Sequence, residues 1–259
     1  MAGKVHLEIS GPIATIINDN PEKHNAFDDV MDAQLFDLLK QLASNSEIRA
    51  IIWKGTGESW SSGRDVGSIG VKKTELTHHQ LMTRGIRGIQ QIWQIQAPII
   101  CAIQGWAIGG SFQRALLCDI RIAAENAKFI LPEISHGVIP DTGGASVLFQ
   151  IAGHGLVSDM ILTGRRLSAQ EALQHGIVSR VVPREELDAT AQAMAEKIAD
   201  SPAFTIKMAR QVLSQLSQPE QAAAMENELI YQTMVNKSED FAEFRAAKTE
   251  QREPNYKRS

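Results

Sequence analysis

The chain has 259 residues, 43% of them hydrophobic and 22% charged, with a formal net charge of -4 at pH 7. That length and balance describe a globular chain with room for a sizeable core, and disfavour disorder or a membrane-built chain. The acidic balance argues against a general nucleic-acid binder, which needs a basic stripe, and leaves any anionic ligand to local charges.

In chain order, residues 5–9 (VHLEI) alternate, Gly11-Pro12 marks a turn and residues 13–17 (IATII) continue, predicting an opening hairpin. Over residues 27–43, Val30, Leu35, Leu38, Leu39 and Leu42 fall largely on one helical face, with Asp28 and Asp29 at the positive N-terminal end. AIIW (50–53) is a short buried strand ending in Gly55-Thr56-Gly57. A polar stretch from Gly67 to His79, whose composition reads as mobile, precedes a helix expected from about Leu81 to Gln96, stopped by Pro98. Residues 98–105 read as strand, 112–119 as a short helix, and 120–125 and 127–132 as strands. Ser168 and Glu171 have capping-box spacing, Gly176 stands where that helix stops, and 177–182 is the last strand.

From Glu185 onward no strand signal remains, and about four helical segments are punctuated by Pro202, Pro219 and Ser238. Strand–loop–helix units ahead of an all-helical tail predict an α/β core over residues 1–198 and a helical region over 199–259. That tail packs on the core or on a neighbouring subunit, so an oligomer is expected. Cys101 and Cys118 lie in apolar stretches outside any metal-ligand spacing and read as buried reduced thiols. With no leader and no apolar run approaching a membrane span, a cytoplasmic protein is expected.

Two glycine loops invite a nucleotide reading and fail it. GTGESW (55–60) has Trp60 where a dinucleotide fingerprint needs its third glycine, and GWAIGG (105–110) has Ala107 at the second. Gly109-Gly110 instead stands between a buried strand and a helix start, where backbone N–H groups point outward as donors for an oxyanion, or where glycine simply permits close packing. SWSSGRDV (59–66) is a second such loop.

These segments together resemble the crotonase superfamily, the enoyl-CoA hydratases and isomerases. NPEKHNAF (20–27) is similar to its opening motif, WSSGRD to its S-x-G-x-D loop and PIICAIQGWAIGGS to the following strand and glycine turn. FILPEISHGVIPDTGG resembles its P-E-x-x-x-G-hydrophobic-x-P-x-x-G-G segment, and LTGRRLSAQEALQHGIVSRVVP its late hallmark. The resemblance implies a spiral of repeated ββα units with a helical C-terminal trimerisation region, a homotrimer or hexamer, and an acyl-CoA thioester substrate with no cofactor beyond its coenzyme A. It implies that the backbone N–H groups of Arg64 and Gly110 hold the thioester oxygen, with the Arg64 side chain directed at CoA phosphates or at solvent. It also places Lys23, His24, Ala26, Ser62, Asp65, Val66, Trp106, Gly109, Gln113 and Pro132 around substrate or CoA. In the tail, Lys248 and Arg252 offer charge to CoA, although relatives show a phenylalanine and a lysine at the positions matching Lys248 and Gln251.

The chemistry turns on acids. Hydratases of this family use two glutamates, and the first position here is Gln113, whose amide can hydrogen-bond water but cannot exchange a proton near neutral pH. The second is Glu133. Asp141 matches an aspartate of dienoyl-CoA isomerases, so the resemblance implies a double-bond shift with Glu133 removing a proton and Asp141 delivering one. The alternatives are a hydratase with an altered site and a non-catalytic acyl-CoA binder. Asp141 also matches the nucleophile of aroyl-CoA dehalogenases, but the helix read over residues 81–96 before PIICAI lacks the histidine those enzymes need, His78 and His79 standing just ahead of it and reading as solvated. His136 has no Ser or Cys partner for a triad and reads as a loop histidine that hydrogen-bonds. The seven histidines form no ligand cluster, so no metal is expected.

Overall fold

The computed structural model describes residues 3–68 and 76–257, so residues 69–75 of the polar stretch after Gly67 lie outside the described part. Strands β1 (Lys4–Ser10) and β2 (Ile13–Asp19) form the expected antiparallel hairpin around Gly11, whose φ of +56° suits glycine. Strands β3 (Ala50–Gly55), β4 (Ile99–Ile103), β6 (Ile120–Ala124) and β9 (Arg180–Val182) continue the sheet in parallel, in the order β1-β2-β3-β4-β6-β9. A smaller sheet joins β5 (Trp106–Ile108), β7 (Lys128–Ile130) and β8 (Leu167–Ser168).

The parallel strands are apolar on both faces because both are covered. Ile51, Trp53, Ile99 and Cys101 point into a cluster with Met31, Leu35, Leu39 and Leu42 of helix α1 (Asp29–Ala43). The alternate residues Ala50, Ile52, Ile100 and Ala102 meet Leu187, Ala191, Ala195 and Ala199 of helix α6 (Leu187–Ala199). Each fully buried aliphatic side chain contributes about 1.5–3 kcal/mol. Cys101 and Cys118 are free and buried, as their apolar surroundings predict.

Helix α2 (His78–Ile89) starts at a Thr77/Gln80 capping box, ahead of the expected Leu81 and taking in His78 and His79, and passes into a 3-10 turn over Gln90–Gln94, so its α-helical part ends before the Gln96 expected from Pro98. Helix α3 (Gly109–Leu116) starts three residues earlier than expected, directly from β5. Helix α5 (Ala169–Gln174) has the predicted Ser168/Glu171 box, and Gly176 follows at φ +73°.

Helix α4 (Gly144–Thr163) departs from the expectation that no segment approaches a membrane span, since by length and composition alone it is apolar enough to cross one. Its backbone breaks at Gly153 (φ 75°, ψ 167°), and Val147, Leu148, Val157 and Met160 are buried in the core. The break divides it into two short pieces, each below the roughly 20 residues a span requires.

The tail also differs. Pro219 does not interrupt helix α7 (Ala203–Val235), so α6, α7 and α8 (Glu239–Thr249) stand where four segments were expected. An internal proline costs about 3 kcal/mol, and tertiary contacts on either side of Pro219 offset it. Arg210 Nε pairs with Asp119 at 2.8 Å, and Met225 and Leu229 join the main core.

Candidate active site

Three segments converge beside the start of α3. The opening loop turns through left-handed His24 and Asn25, and buried Asn25 donates to the carbonyls of Thr56 (2.9 Å) and Ser59 (2.7 Å). This ties it to the loop after β3. That loop runs alongside β5: Ser61 N donates to Trp106 O at 2.9 Å and Ile108 N to Ser61 O at 3.1 Å. Gly63 sits at φ +89°, and a Cβ there would lie 2.7 Å from Ile108 O, so only glycine fits.

Phe27 N donates to Gly63 O and Asp65 N to Phe27 O, both at 2.8 Å. Arg64 lies between those two bonds, so its own N–H faces away from Phe27. Gly109 and Gly110 form the first turn of α3, whose amides lack intrahelical acceptors. Gly109 has φ +54°, and a Cβ there would meet Glu133 Oε1 at 3.3 Å.

Glu133 opens a 3-10 turn and is buried. Its Oε1 accepts from Gln113 Nε2 at 2.7 Å, while its buried Oε2 has no partner among the described residues. Gln113 Oε1 accepts from Thr142 N (2.8 Å) and Gly144 N (3.2 Å). Backbone donors thereby fix the amide orientation and turn its NH2 toward Glu133. Gln113 is a brace between the two ends of the loop that carries both acids.

Burial pushes Glu133 up to about 7 against the hydrogen bonds from its own backbone and Gln113, and the charge of Asp141 adds to the rise. Burial likewise pushes half-buried Asp141 up to about 6, moderated by Thr142 and by the charges of Arg114 and Arg64.

The C-terminal helices hold this loop from the other side. Ile139 N donates to Gln232 Oε1 at 2.9 Å and Gly143 N to Glu228 Oε2 at 2.8 Å, from side chains one turn apart on α7. Burial raises Glu228 to about 7 although the Gly143 N–H favours its charge, and Asp141 adds repulsion. A carboxyl raised from 4.5 in the folded state supports the fold fully below its unfolded value, and that support is lost as pH rises through about 7. Glu228→Gln keeps an acceptor for Gly143 without the charge. It is therefore expected to raise stability at pH 8 by about 2–3 kcal/mol and to change little below pH 4.5. Paired thermal melts at the two pH values check this, and an equal shift at both contradicts it.

The Arg64 side chain, 32% exposed, turns to α1, pairing with Asp29 and, at 2.6 Å, with Asp32. Burial lowers its pKa, but Asp32 and Asp29 outweigh that and hold it raised. Asp32 also binds Arg114 Nη2 at 2.8 Å, and the Arg114 guanidinium stands 4.8 Å from the centroid of the Phe27 ring.

The other predicted residues divide into groups. Gln113, Glu133, Pro132, Gly109, Gly110 and Asp141 come together around the acid loop. Lys23 and Asp65 form an ion pair at 3.1 Å, Ser62 N donates to His24 O, and Ala26 is buried beside them. Lys248 of α8 donates to the carbonyl of exposed Val66, which brings the tail to this loop, whereas Arg252 pairs with Glu243 and Glu250. Phe112 is core, packed on Phe129. Trp106 lies under Lys128 and Arg166 and lines, with His24, Ser59 and Arg184, an open cavity of about 710 Å³. His136 accepts from or donates to no triad: its Nδ1 stands 3.1 Å from Pro132 O, and burial holds its pKa down. Sequence reasoning missed Glu228, Gln232, Asp32 and Arg114, which read as helix polarity with no local signal for their partners.

The sequence pattern described as Enoyl-CoA hydratase/isomerase matches residues 8–259. Carnitinyl-CoA dehydratase of Salmonella typhi is 35% identical over 213 residues, spanning 82% of this chain and 80% of that protein. Among solved structures, an enoyl-CoA hydratase/isomerase of Pseudoalteromonas atlantica superposes with a TM-score of 0.88 at 26% identity, covering 98% of this chain and 99% of that one. An enoyl-CoA hydratase of Mycobacterium avium subsp. paratuberculosis gives 0.86 at 25% identity, with 97% and 98% covered.

Proposed function

From its membership of the enoyl-CoA hydratase/isomerase family, to which the chain belongs, we propose that this acyl-CoA enzyme shifts a carbon–carbon double bond through a thioester enolate. The backbone N–H groups of Arg64 and Gly110 donate to the thioester oxygen. Glu133 Oε2 takes a proton from C2, the C2–H electron pair becomes the C1–C2 double bond as the carbonyl π pair moves onto the thioester oxygen, and the carbonyl re-forms as a proton is added farther along the chain. For a one-place shift Glu133 returns the proton at C4; for a longer shift Asp141 delivers it. Each preorganised donor contributes about 2.7–4 kcal/mol where charge develops. The reaction needs no cofactor beyond the CoA of the substrate.

The observation that carries this reading is the buried, unpartnered Oε2 of Glu133, whose other oxygen is held by Gln113. Such an acid, poised near neutral pH, suits proton transfer. Gln113, already braced by Thr142 and Gly144, leaves Glu133 without the second acid that paired-carboxylate hydration uses. Lys23, His24, Ala26, Ser62, Asp65 and Val66 form the CoA side of the cleft. A homotrimer or dimer of trimers fits the exposed Phe204, Leu213 and Leu216 of α7 and Leu162 of α4.

One observation favours a second reading, reversible addition of water to a 2-enoyl thioester: the Salmonella relative is named a dehydratase. Purified protein given 3-enoyl-, 3,5-dienoyl- and 2-enoyl-CoA separates the two by absorbance of the conjugated thioester. The isomerase reading expects fast change with the first two substrates and slow loss of conjugation from the third. Fastest loss from 2-enoyl-CoA would replace it with the hydratase reading.

A further inference from the structure

We propose that Asp32 is a positioning residue that sets the separation of the two backbone donors to the thioester oxygen, a role that rests on the reading above. Its carboxylate projects from α1 and is buried, with Oδ2 accepting from Arg64 Nη1 at 2.6 Å and Oδ1 from Arg114 Nη2 at 2.8 Å. Each arginine belongs to a different half of the oxygen site. Arg64 carries one donor amide itself, and Arg114 lies one helical turn after Gly110 on α3. One carboxylate therefore ties the loop after β3 to the helix that follows β5.

The surrounding contacts close this tie into a ring. Asp29, the first residue of α1, takes the second arm of Arg64. The Arg114 guanidinium lies over Phe27, whose backbone brackets Arg64 through Gly63 O and Asp65 N. Oxyanion donors act only within about 2.7–3.1 Å of the oxygen they stabilise, so a small drift of one loop against the other loses one of them. Without Asp32, Arg64 keeps only Asp29 and Arg114 loses its carboxylate partner, so the tie between the two elements that carry them is lost.

The test uses infrared difference spectra of a saturated acyl-CoA, labelled with carbon-13 at its thioester carbonyl, bound to wild type, Asp32→Asn and Asp32→Glu. Steady-state rates on the best substrate of the three-thioester panel accompany the spectra. Wild type is expected to move the carbonyl band to lower frequency. Asp32→Asn is expected to lose most of that shift and about 10- to 100-fold in kcat, with KM within about threefold. Asp32→Glu restores part of both. If Asp32→Asn does not fold, Arg114→Met takes its place with the same expectations, because it unties α3 while leaving the Asp32–Arg64 pair. A wild-type shift that survives intact in Asp32→Asn or Arg114→Met overturns the positioning role alone. No shift in wild type overturns the donor reading and this role with it.

Discussion

Glu133→Gln is expected to lower turnover of 3-enoyl- and 3,5-dienoyl-CoA by about 100- to 10,000-fold, the range of a general base, with little change in thioester affinity. Glutamine matches glutamate in shape and keeps an acceptor for Gln113 Nε2, so the brace to Thr142 and Gly144 survives. What it removes, on the proposed mechanism, is the atom that takes the proton, Oε2, which has no partner among the described residues. The variant also sheds a buried carboxyl raised to about 7, and is expected to melt no lower than wild type at pH 8. Stopped assays and melting curves on the same preparation check both statements. Unchanged turnover of every substrate removes Glu133 from the chemistry.

Asp141→Asn carries the second large effect: a loss of about 100-fold on 3,5-dienoyl-CoA against no more than about threefold on 3-enoyl-CoA. A one-place shift lets Glu133 return its own proton, whereas a longer one delivers it beyond that carboxyl's reach. The pH dependence has a definite sign. The base must be ionised, so the rate rises through about 7, and the acid must be protonated, so it falls through about 6. Wild type acting on the dienoyl substrate thus has a narrow bell between limbs near those values, which belong to the coupled pair. Asparagine removes the alkaline limb. The single rise that remains reports Glu133 alone, whose pKa falls from about 7 because the charge of Asp141 no longer helps to raise it. Equal losses on both substrates, or an alkaline limb that persists, count against separate acid and base roles.

Local chemistry made the frame legible in the sequence. The Gly11-Pro12 hairpin, the Ser168/Glu171 cap and the apolar runs of β3 and β4 rest on neighbours a few residues apart, and each stands where the pattern placed it, whereas the last strand, expected over 177–182, spans only Arg180–Val182. The residue types of the acid loop were legible through motif order. What joins them was not: Gln113 reaches partners 20 and 29 residues on, Glu228 reaches back 85, and Asp32 spans 32 and 82. No periodicity reports a side-chain bond over such separations. Pro219 misled for a related reason, since the local rule against an internal proline is overridden by contacts that hold α7 on both sides.

The most direct measurement follows hydrogen at C2. A saturated acyl-CoA, which can neither isomerise nor gain water, is incubated with the protein in heavy water, and its C2 protons are read by NMR. If an enolate forms beneath the Arg64 and Gly110 amides with Glu133 as base, wild type replaces those protons with deuterium and Glu133→Gln does so at least about 100-fold more slowly. A wild type that binds the thioester yet leaves C2 unlabelled, or a glutamine variant that labels it at the same rate, contradicts the account.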